Sequence, residues 1–334
     1  MRSARLEITY DSADISAAIA PFVTGFEYTD HAHGKADDLQ ITLNDTDQRW
    51  KSVWYPAKGA KLTARIISEI DGSLTALDCG VFEIDEIESS GPPSRVTIKA
   101  ASAAVSKSLR AEKKTVAWES ITLAEIGVTL ADSHGLTVYY GAEPVSFTRV
   151  DQREETDLSF LSRICDENGL NLKVADEKLV IFSGKDFEAK ASSFTISRKS
   201  SGLERYRFTD KAHDIYRACE VSYQEPSEKI DKTYTFTPES GTEVGEVLKV
   251  NRRVESLADA QRVAKSELRK KNKNEVKGSL TLVGHTGLVA GLNITAADFG
   301  QYDGKYFIDE ATHRYDRSSG GYTVGLTIHR ELDY

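Results

Sequence analysis

Two histidines close together are the first residues whose types could do chemistry. His31 and His33 flank Ala32, and Asp30 precedes them, so the segment offers imidazole and carboxylate groups of the kind that bind Zn²⁺. Gly34 follows and indicates a turn between strands, and no further ligands are spaced to complete a site. The pattern favours a solvated turn, and the sequence predicts no metal and no cofactor. Three further histidines, on or beside predicted strands, are interpreted as interface or surface residues: His285, His313 and His329.

Paired carboxylates could act as a general acid and base. They occur at Asp85-Glu86, Glu154-Glu155 and Asp309-Glu310. Glycosidase chemistry needs two carboxylates that face each other across a bond, whereas successive strand residues point to opposite faces. The sequence also contains no convincing nucleophile elbow, phosphate loop, dinucleotide fingerprint or zinc-protease helix. We therefore predict no catalytic residue and a protein that is not an enzyme.

Aromatic residues are the better candidates for a binding role. Trp50, Trp54 and Tyr55 lie close together, and exposed aromatics at this density are typical of interfaces. Because the nearby cations are few, packing within a β domain or against a neighbouring subunit is favoured over nucleic acid. Asp303 and Tyr306, in an Asp-Gly-Lys-Tyr turn that leads into a strand, complete the predicted interface residues.

Composition sets the class of protein. The chain has 334 residues, 40% hydrophobic and 28% charged, which is typical of a soluble globular protein with more than one domain. Its net charge of −9 argues against affinity for nucleic acid through phosphate neutralisation. We expect no membrane insertion, because no apolar run reaches the roughly 20 residues that span a bilayer. Three cysteines in apolar patterns are expected to be buried reduced thiols made in a cytoplasm: Cys79, Cys165 and Cys219.

The elements that must position these residues are mostly strands. In the first region, 1–110, alternating apolar residues predict strands at Leu6–Tyr10, Asp38–Leu43, Lys61–Ile67, Gly80–Ile87 and Arg95–Ala100. Turn residues separate them at Asp71-Gly72 and at Gly91-Pro92-Pro93. This spacing of short strands indicates a small barrel or sandwich.

The second region, 111–190, contains a weak internal repeat. Each copy is a capped helix, a Gly-Leu stop and a strand: first from Thr122 to Tyr140, then from Thr156 to Val174. In the second helix, one apolar stripe is formed by Leu158, Leu161, Ile164 and Cys165. A hairpin then turns at Asp176-Glu177, and 187–192 is interpreted as a linker. The pair of copies predicts a compact α+β insert.

The third region, 191–334, is predicted to be β again with one helix. The helix spans about 257–271, with a cap at Ser256, an apolar stripe, and basic residues in its last turn. Strands are predicted on both sides of it: Thr195–Ser197, Arg205–Phe208, Ala218–Tyr223, Thr233–Thr237, Glu246–Val250, Lys277–Val283, Tyr306–His313 and Gly321–His329. The whole chain is therefore predicted to be a β-rich α+β protein.

The order and spacing of several motifs resemble the phage late control D family, the baseplate hub proteins of contractile tails. The central motif is Asp151-Gln-Arg-Glu-Glu-Thr-Asp-Leu-Ser-Phe-Leu161, followed by Cys165-x-Glu-x-Gly-Leu. Further matching stretches between about Asp30 and Phe187 are Gly34–Ile41, Trp50 with Trp54-Tyr55-Pro56, Cys79–Asp85, Ser90–Pro93, Leu109–Thr115 and Ala117–Glu119. The last third of the chain fits more loosely.

The resemblance implies a fold, a function and partners. It implies two tail-tube-like β-barrels flanking the α+β insert, in a homotrimer that adapts a six-fold tail tube to a three-fold central spike. Expected partners are the spike, the tube or its initiator proteins, and other baseplate proteins. DNA would pass through the lumen without specific binding, and an acidic chain is compatible with this because like charges repel phosphate. The protein would be made in the bacterial cytoplasm and assembled into the baseplate.

Two alternatives stay open at this stage. The hub of a tail-derived bacteriocin, or of another contractile injection system, has the same expected features. A baseplate cell-wall hydrolase or glycan-binding protein belongs to a different class, and a divergent catalytic site would be its signature.

Overall fold

A computed structural model describes residues 2–70, 72–102, 109, 112–175, 177–224, 231–239, 245–251, 254, 256–318 and 321–334. The predicted β-rich α+β class is confirmed. The strands, numbered in chain order, are β1 Arg2–Tyr10, β2 Ala13–Asp14, β3 Val23–His31, β4 Asp38–Asn44, β5 Lys61–Ile70, β6 Ser73–Ser90, β7 Arg95–Ser102, β8 Lys113–Thr122, β9 Thr137–Gly141, β10 Ser146–Thr156, β11 Leu170–Ala175, β12 Lys178–Ser183, β13 Phe194–Ser197, β14 Leu203–Asp210, β15 Tyr216–Gln224, β16 Asp231–Phe236, β17 Glu246–Val250, β18 Val276–Val283, β19 Asn293–Ala297, β20 Gly304–Asp316 and β21 Gly321–Arg330.

Helices are short apart from three. The α-helices of the described ranges are α1 Ser16–Ile19, α2 Leu123–Ser133, α3 Asp157–Glu167, α4 Gly184–Glu188 and α5 Leu257–Asn272; the 3₁₀ helices are Arg49–Lys51 and Gly300–Tyr302. Four residues of the predicted turns and motifs lie outside the described ranges: Asp71, Arg110, Ala111 and Asp176.

The apolar alternation of the first region forms strands with one buried face. In β4, Leu39, Ile41 and Leu43 are at most 1% exposed, while Asp38 and Asn44 at its ends are exposed. Burial of this alternating face is what holds the strand in register, since a one-residue slip would expose all three apolar side chains. All five strands predicted in this region are present.

The main sheet runs through both β regions of the chain. Its thirteen strands follow the order β14-β18-β21-β20-β3-β4-β7-β6-β5-β1-β2, with β13 and β19 joined beside β20. The link is the antiparallel pairing of β3 with β20, where Tyr28 lies opposite His313 and Phe26 opposite Tyr315. The sequence did not predict β3. The domain boundaries at 110/111 and 190/191 stay predictions, but hydrogen bonding makes the two β regions one sheet.

Two apolar cores lie on this sheet. The first is built from β1 and β3–β7 and includes Ile8, Leu39 and Phe82. The second is built from β18–β21 and includes Ile294, Tyr306 and Ile328. The long β20–β21 hairpin contributes to both cores, because Tyr315 and Tyr322, near its turn, pack against the first core.

The insert has the predicted repeat. Thr122 and Thr156 each accept a hydrogen bond from the first turn of α2 and α3, and Gly135 (φ +68°) and Gly169 (φ +72°) end those helices in the left-handed conformation. The repeat extends further towards the amino terminus than the sequence indicated, because β8 and β10 precede the two helices and pair with each other. A third sheet, β11-β12-β9, packs under both helices.

A smaller sheet completes the third region. The strands β16-β15-β17 pack against α5 around Cys219, Val263 and Leu268. The predicted helix at 257–271 is confirmed within one residue, with Ser256 as its cap and basic residues in its last turn. The segment interpreted as a linker at 187–192 is not all linker, because α4 extends to Glu188 and is capped by Ser183.

Candidate functional site

The His31 segment lies at the end of β3 and is mostly buried. The His31 backbone N–H donates to Asp37 Oδ1 at 2.9 Å, and its ring lies 3.2 Å from Glu310 Oε2. The interpretation of a solvated turn is therefore wrong for His31, which is 8% exposed. His33 follows in the bend, where burial and the nearby Lys273 ammonium lower the pKa of its imidazole to about 4. Among the residues that the structure describes, no group of three or more His, Cys, Asp or Glu is placed to hold a metal ion.

The Asp309-Glu310 pair points to two different partners. Asp309 Oδ2 lies 2.8 Å from His329 Nδ1, whereas Glu310 reaches His31. The ladder shifts register between Ile308 and Glu310, so Asp309 sits at a bulge in β20. The two carboxylates have different partners, but the bulge interrupts the alternation of side chains here, so the strand-alternation argument does not apply to this pair.

Asp30 joins three parts of the chain at one buried point. Its Oδ1 accepts from Lys173 Nζ of β11 at 2.5 Å, and its Oδ2 accepts from the backbone N–H of Ala290, in the loop before β19, at 2.9 Å. Lys173 also lies 3.4 Å from Asp37 Oδ2. One side chain of the central strand β3 thus contacts both the insert and the third region.

The charges at this junction are strongly coupled. Burial raises the pKa of the Asp37 carboxyl to about 6, although the Lys173 ammonium opposes the rise. Burial alone would lower the pKa of Lys173, but the negative charges of Asp30 and Asp37 have the larger effect and raise it. An ammonium between two buried carboxylates is strongly held, and its removal would leave them uncompensated.

A second buried network holds the insert to the third region around His329. The His329 ring lies between Asp309 and Glu188, with Nε2 3.5 Å from Glu188 Oε1, and Arg269 Nη2 donates to Glu188 Oε2 at 2.8 Å. Burial lowers the pKa of His329, yet the hydrogen bond to Asp309 and the negative charges of both carboxylates reverse the direction and favour the imidazolium. The ring lines a cleft of about 490 Å³ between the insert and α5.

Two of the three strand histidines are buried, which corrects their interpretation as surface or interface residues. His313 and His329 are 0% and 2% exposed. His313 is satisfied by Tyr322 Oη at 2.7 Å and by the Leu288 carbonyl at 3.0 Å, and burial lowers its pKa to about 4, which favours the neutral ring. Buried imidazoles are tolerated where both ring nitrogens have partners, and a single sequence does not show those partners.

The aromatic candidates of the first region form one cluster at its surface. Trp50 is 7% exposed and packs edge-on against Phe22 at 5.9 Å between ring centroids, so it belongs to the first core, and its contact with a partner stays a prediction. Trp54 is 39% exposed and Tyr55 53% exposed. Their role as interface residues stays a prediction. Val53, which the sequence reasoning missed, is the most exposed large apolar residue in the described chain, at 87%.

The other two predicted interface residues, Asp303 and Tyr306, also differ in exposure. Tyr306 is fully buried within the single chain, with its hydroxyl donating to the Tyr302 carbonyl at 2.8 Å. Its role as an interface residue stays a prediction. Asp303 is exposed and accepts from the Phe299 backbone N–H at 2.6 Å, which closes the turn before β20. Its contact with a partner is still a prediction.

The three cysteines are buried and free, as predicted, and burial raises the pKa of each thiol. No helix within the described ranges is both long and apolar enough to cross a membrane.

Comparison with known proteins gives sequence relatives but no family profile: the chain matches no protein-family model. It is 30% identical over 210 residues to the probable baseplate hub protein of Escherichia phage 186, covering 61% of this chain and 52% of that protein. It is 31% identical over 208 residues to the probable baseplate hub protein of Escherichia phage P2, covering 60% of this chain and 52% of that protein. The chain thus spans about half the length of the curated relatives it matches.

Solved structures share the fold across nearly the whole chain. A tail protein from Neisseria meningitidis MC58 has a TM-score of 0.74 at 13% identity, covering 98% of this chain and 97% of that one. The 43 kDa tail protein of prophage MuSo2 from Shewanella oneidensis also has a TM-score of 0.74, at 15% identity, covering 98% and 99%. An E. coli component of the type VI secretion system has a TM-score of 0.61 at 12% identity, covering 98% and 77%.

Proposed function

We propose, from the similarity of this chain to the probable baseplate hub proteins of two Escherichia phages, that it is a structural subunit at the centre of a contractile-tail baseplate. Three copies would form a ring that meets the six-fold tail tube on one side and the three-fold spike on the other. Its role would be assembly and not catalysis, since the buried charged groups described above are engaged with one another and not aimed at a substrate.

The observation that carries this proposal is the continuous sheet with an open edge at each end. At one end, β14 pairs with β18 alone, and its residues Glu204 to Arg207 are exposed. At the other end, β1 pairs with β5 along its length but with β2 only at Thr9 and Tyr10. Ile8 of β1 is already bonded to the Ile15 N–H and to the Ser16 hydroxyl. Within the described residues, no strand pairs with the outer side of β14, or with that of β1 before Ile8, so both stretches are available to a further strand. Open edges of this length are normally blocked or paired, so subunit contacts there are a natural use for them.

Two cores on one sheet would allow a ring of three subunits to match a tube with six-fold symmetry. Three subunits would present six core-bearing β units, matching the symmetry of a tube, while keeping three-fold symmetry for a spike. The buried junctions at Asp30 and His329 fix the insert to both units, so each subunit would act as one rigid piece. The chain's net charge of −9 would disfavour retention of DNA passing through the ring.

Partners follow from the same proposal. The ring would contact a central spike, the tube or its initiator proteins, and other baseplate proteins, after synthesis in the bacterial cytoplasm. A tail-derived bacteriocin or another injection system would use the same ring, and the fold shared with a type VI secretion component is compatible with either setting.

Disulfide trapping tests the ring. Cysteines introduced together by Arg205→Cys in β14 and Ala4→Cys in β1 lie at opposite free edges, and the three native thiols are buried. If neighbouring subunits join edge to edge, oxidation gives covalent species that stop at three chains on a denaturing gel. A matched pair away from the edges, Val128→Cys with Leu74→Cys, is expected to remain monomeric. An open ladder beyond three chains, or no cross-linking, would contradict the closed trimer.

A further inference from the structure

We propose that the surface opening between the loop at 49–58 and α1 receives one large apolar side chain from another protein of the particle, carried on an acidic segment. This docking site rests on the proposed function only in that its occupant is a different baseplate protein. The first-region core, the exposed loop and the local charges each support it.

The opening leads into a cavity of about 320 Å³. Its floor is the first core, since Ile8, Ile41 and Leu62 are at most 2% exposed. Its rim is formed by Ala18 of α1 and by Trp54 and Tyr55 of the loop; the other lining residues are Tyr10, Ile15, Ile19, Trp50, Pro56, Ile84 and Ile98. An open cavity lined in this way by apolar side chains gains free energy when an apolar group displaces its water.

The rim is preorganised. Trp54 packs edge-on against Phe22 and Trp50, with ring centroids at 5.6 and 5.4 Å, and the Arg49 guanidinium lies 5.2 Å from its ring centre. The Tyr10 hydroxyl on the opposite wall accepts from the Ala57 backbone N–H at 3.0 Å. Because these contacts already hold the rim in place, an occupant would lose little affinity to ordering it.

The exposed apolar surface extends beyond the cavity, which favours a polypeptide over a small molecule. Val53, Trp54 and Tyr55 are consecutive and are 87%, 39% and 53% exposed. A small ligand would fill the cavity and leave Val53 in water, whereas a protein segment anchored in the cavity would cover Val53 as well. Such an arrangement, a buried anchor surrounded by a contact rim, is common in protein interfaces.

The loop's charges favour an acidic segment. Three exposed cations of the loop, Arg49, Lys51 and Lys58, outnumber two acids just before it: Asp47, 3.7 Å from Arg49, and the buried Asp45, 3.6 Å from Lys51. On the α1 side, Asp14 is turned to the backbone N–H of Ser16 at 2.9 Å. Carboxylates beside the anchor residue would therefore be attracted to the loop side of the opening, where cations outnumber acids.

Isoleucine-methyl NMR of the full chain offers a direct test, because six isoleucines line the cavity. The probes are indole, and a labelled peptide with one central Trp flanked by Glu residues, compared with the same peptide flanked by Lys. Indole is expected to shift the methyls of Ile8, Ile15 and Ile84 in a saturable way. The Glu-flanked peptide is expected to bind at least about tenfold more tightly than the Lys-flanked one, a difference of about 1.4 kcal/mol.

Two variants separate binding from folding. Ala18→Phe fills the opening from an exposed rim position and should abolish the indole shifts; Val53→Asp should weaken the Glu-flanked peptide about tenfold without changing the melting temperature. Leu74→Asp is the matched control, since Leu74 is 63% exposed near the start of β6, and it should leave binding unchanged.

The oligomeric state of the same variants is measured in parallel. Retention of the wild-type mass by Ala18→Phe and Val53→Asp supports a separate partner, whereas loss of the oligomer would assign the opening to a second copy and overturn the inference. Absence of indole shifts, or equal binding of both peptides, would also overturn it while leaving a trimeric hub intact. A monomeric wild type that binds the Glu-flanked peptide would instead contradict the trimer alone.

Discussion

Lys173 and Asp30 form a buried ion pair, with 2.5 Å between Nζ and Oδ1, that ties the α+β insert to the central strand of the main sheet. The two residues are 143 positions apart in the chain. Asp30 also holds the Ala290 backbone, and Lys173 also reaches Asp37. Three segments that are distant in sequence therefore meet at one pair of side chains.

Removing the ammonium should be costly. Lys173→Met leaves Asp30 and Asp37 buried without a counter-ion, so we expect a loss of roughly 3–5 kcal/mol in the free energy of unfolding, measured by urea denaturation at neutral pH. Lys249→Met is the control: its pair with Glu220 spans 3.9 Å with Lys249 74% exposed, and its loss should cost at most about 1 kcal/mol. Equal effects of the two substitutions would contradict the role given to Lys173.

Asp37 should make stability depend on pH. Its folded-state pKa of about 6 lies above the 3.8 of an ordinary Asp, so the folded state binds the proton more tightly and this contribution to stability is lost as pH rises from about 4 to 6. Asp37→Asn keeps an acceptor for the His31 N–H but removes this dependence. The variant should gain roughly 2–3 kcal/mol relative to wild type between pH 4 and 7. Parallel pH profiles of unfolding for the two proteins would rule out the raised pKa.

The buried stripe of α3 should not tolerate a charge. Leu161 is 0% exposed in the insert core, so Leu161→Asp should destabilise the chain by several kcal/mol and abolish the cooperative unfolding of the insert seen by circular dichroism. Val128→Asp, on α2 at a position 47% exposed, should change stability by only about 0.5 kcal/mol. A wild-type melting temperature for Leu161→Asp would show that Leu161 is misplaced.

The repeat places backbone strain at equivalent positions. Ser120 (φ +48°) and Glu154 (φ +50°) each stand two residues before a helix cap, Thr122 or Thr156. Because only glycine adopts this conformation without penalty, Ser120→Gly and Glu154→Gly should each stabilise the chain by up to about 1 kcal/mol in thermal unfolding. Alanine at either position should give no gain. Destabilisation by both glycines would argue that these residues are not left-handed in solution.

Local patterns predicted much of the fold, because alternation and caps act over a few residues. The strand at Asp38–Leu43 and the helix at 257–271 were predicted from such patterns and are present. The strand β3 was missed: its residues pair with β20, about 280 positions later in the chain, and that partner has no local signature.

Burial of polar groups was the main source of error at the candidate sites. Polar residues are exposed by default, so His313 and His329 were interpreted as interface or surface residues. In the core, distant partners bond both ring nitrogens of His313, and Asp309 bonds Nδ1 of His329. Tyr306 was predicted from a turn motif whose turn is present, but its ring points inward. Val53 was missed because a single valine carries no sequence signal of its exposure.

Sedimentation equilibrium of the purified chain tests the central claim most directly. A closed hub ring predicts a species with about three times the 36.9 kDa mass of one chain, independent of loading concentration once assembled. A species that remains at the mass of one chain over the whole concentration range would contradict it, as would a mass that keeps growing with concentration.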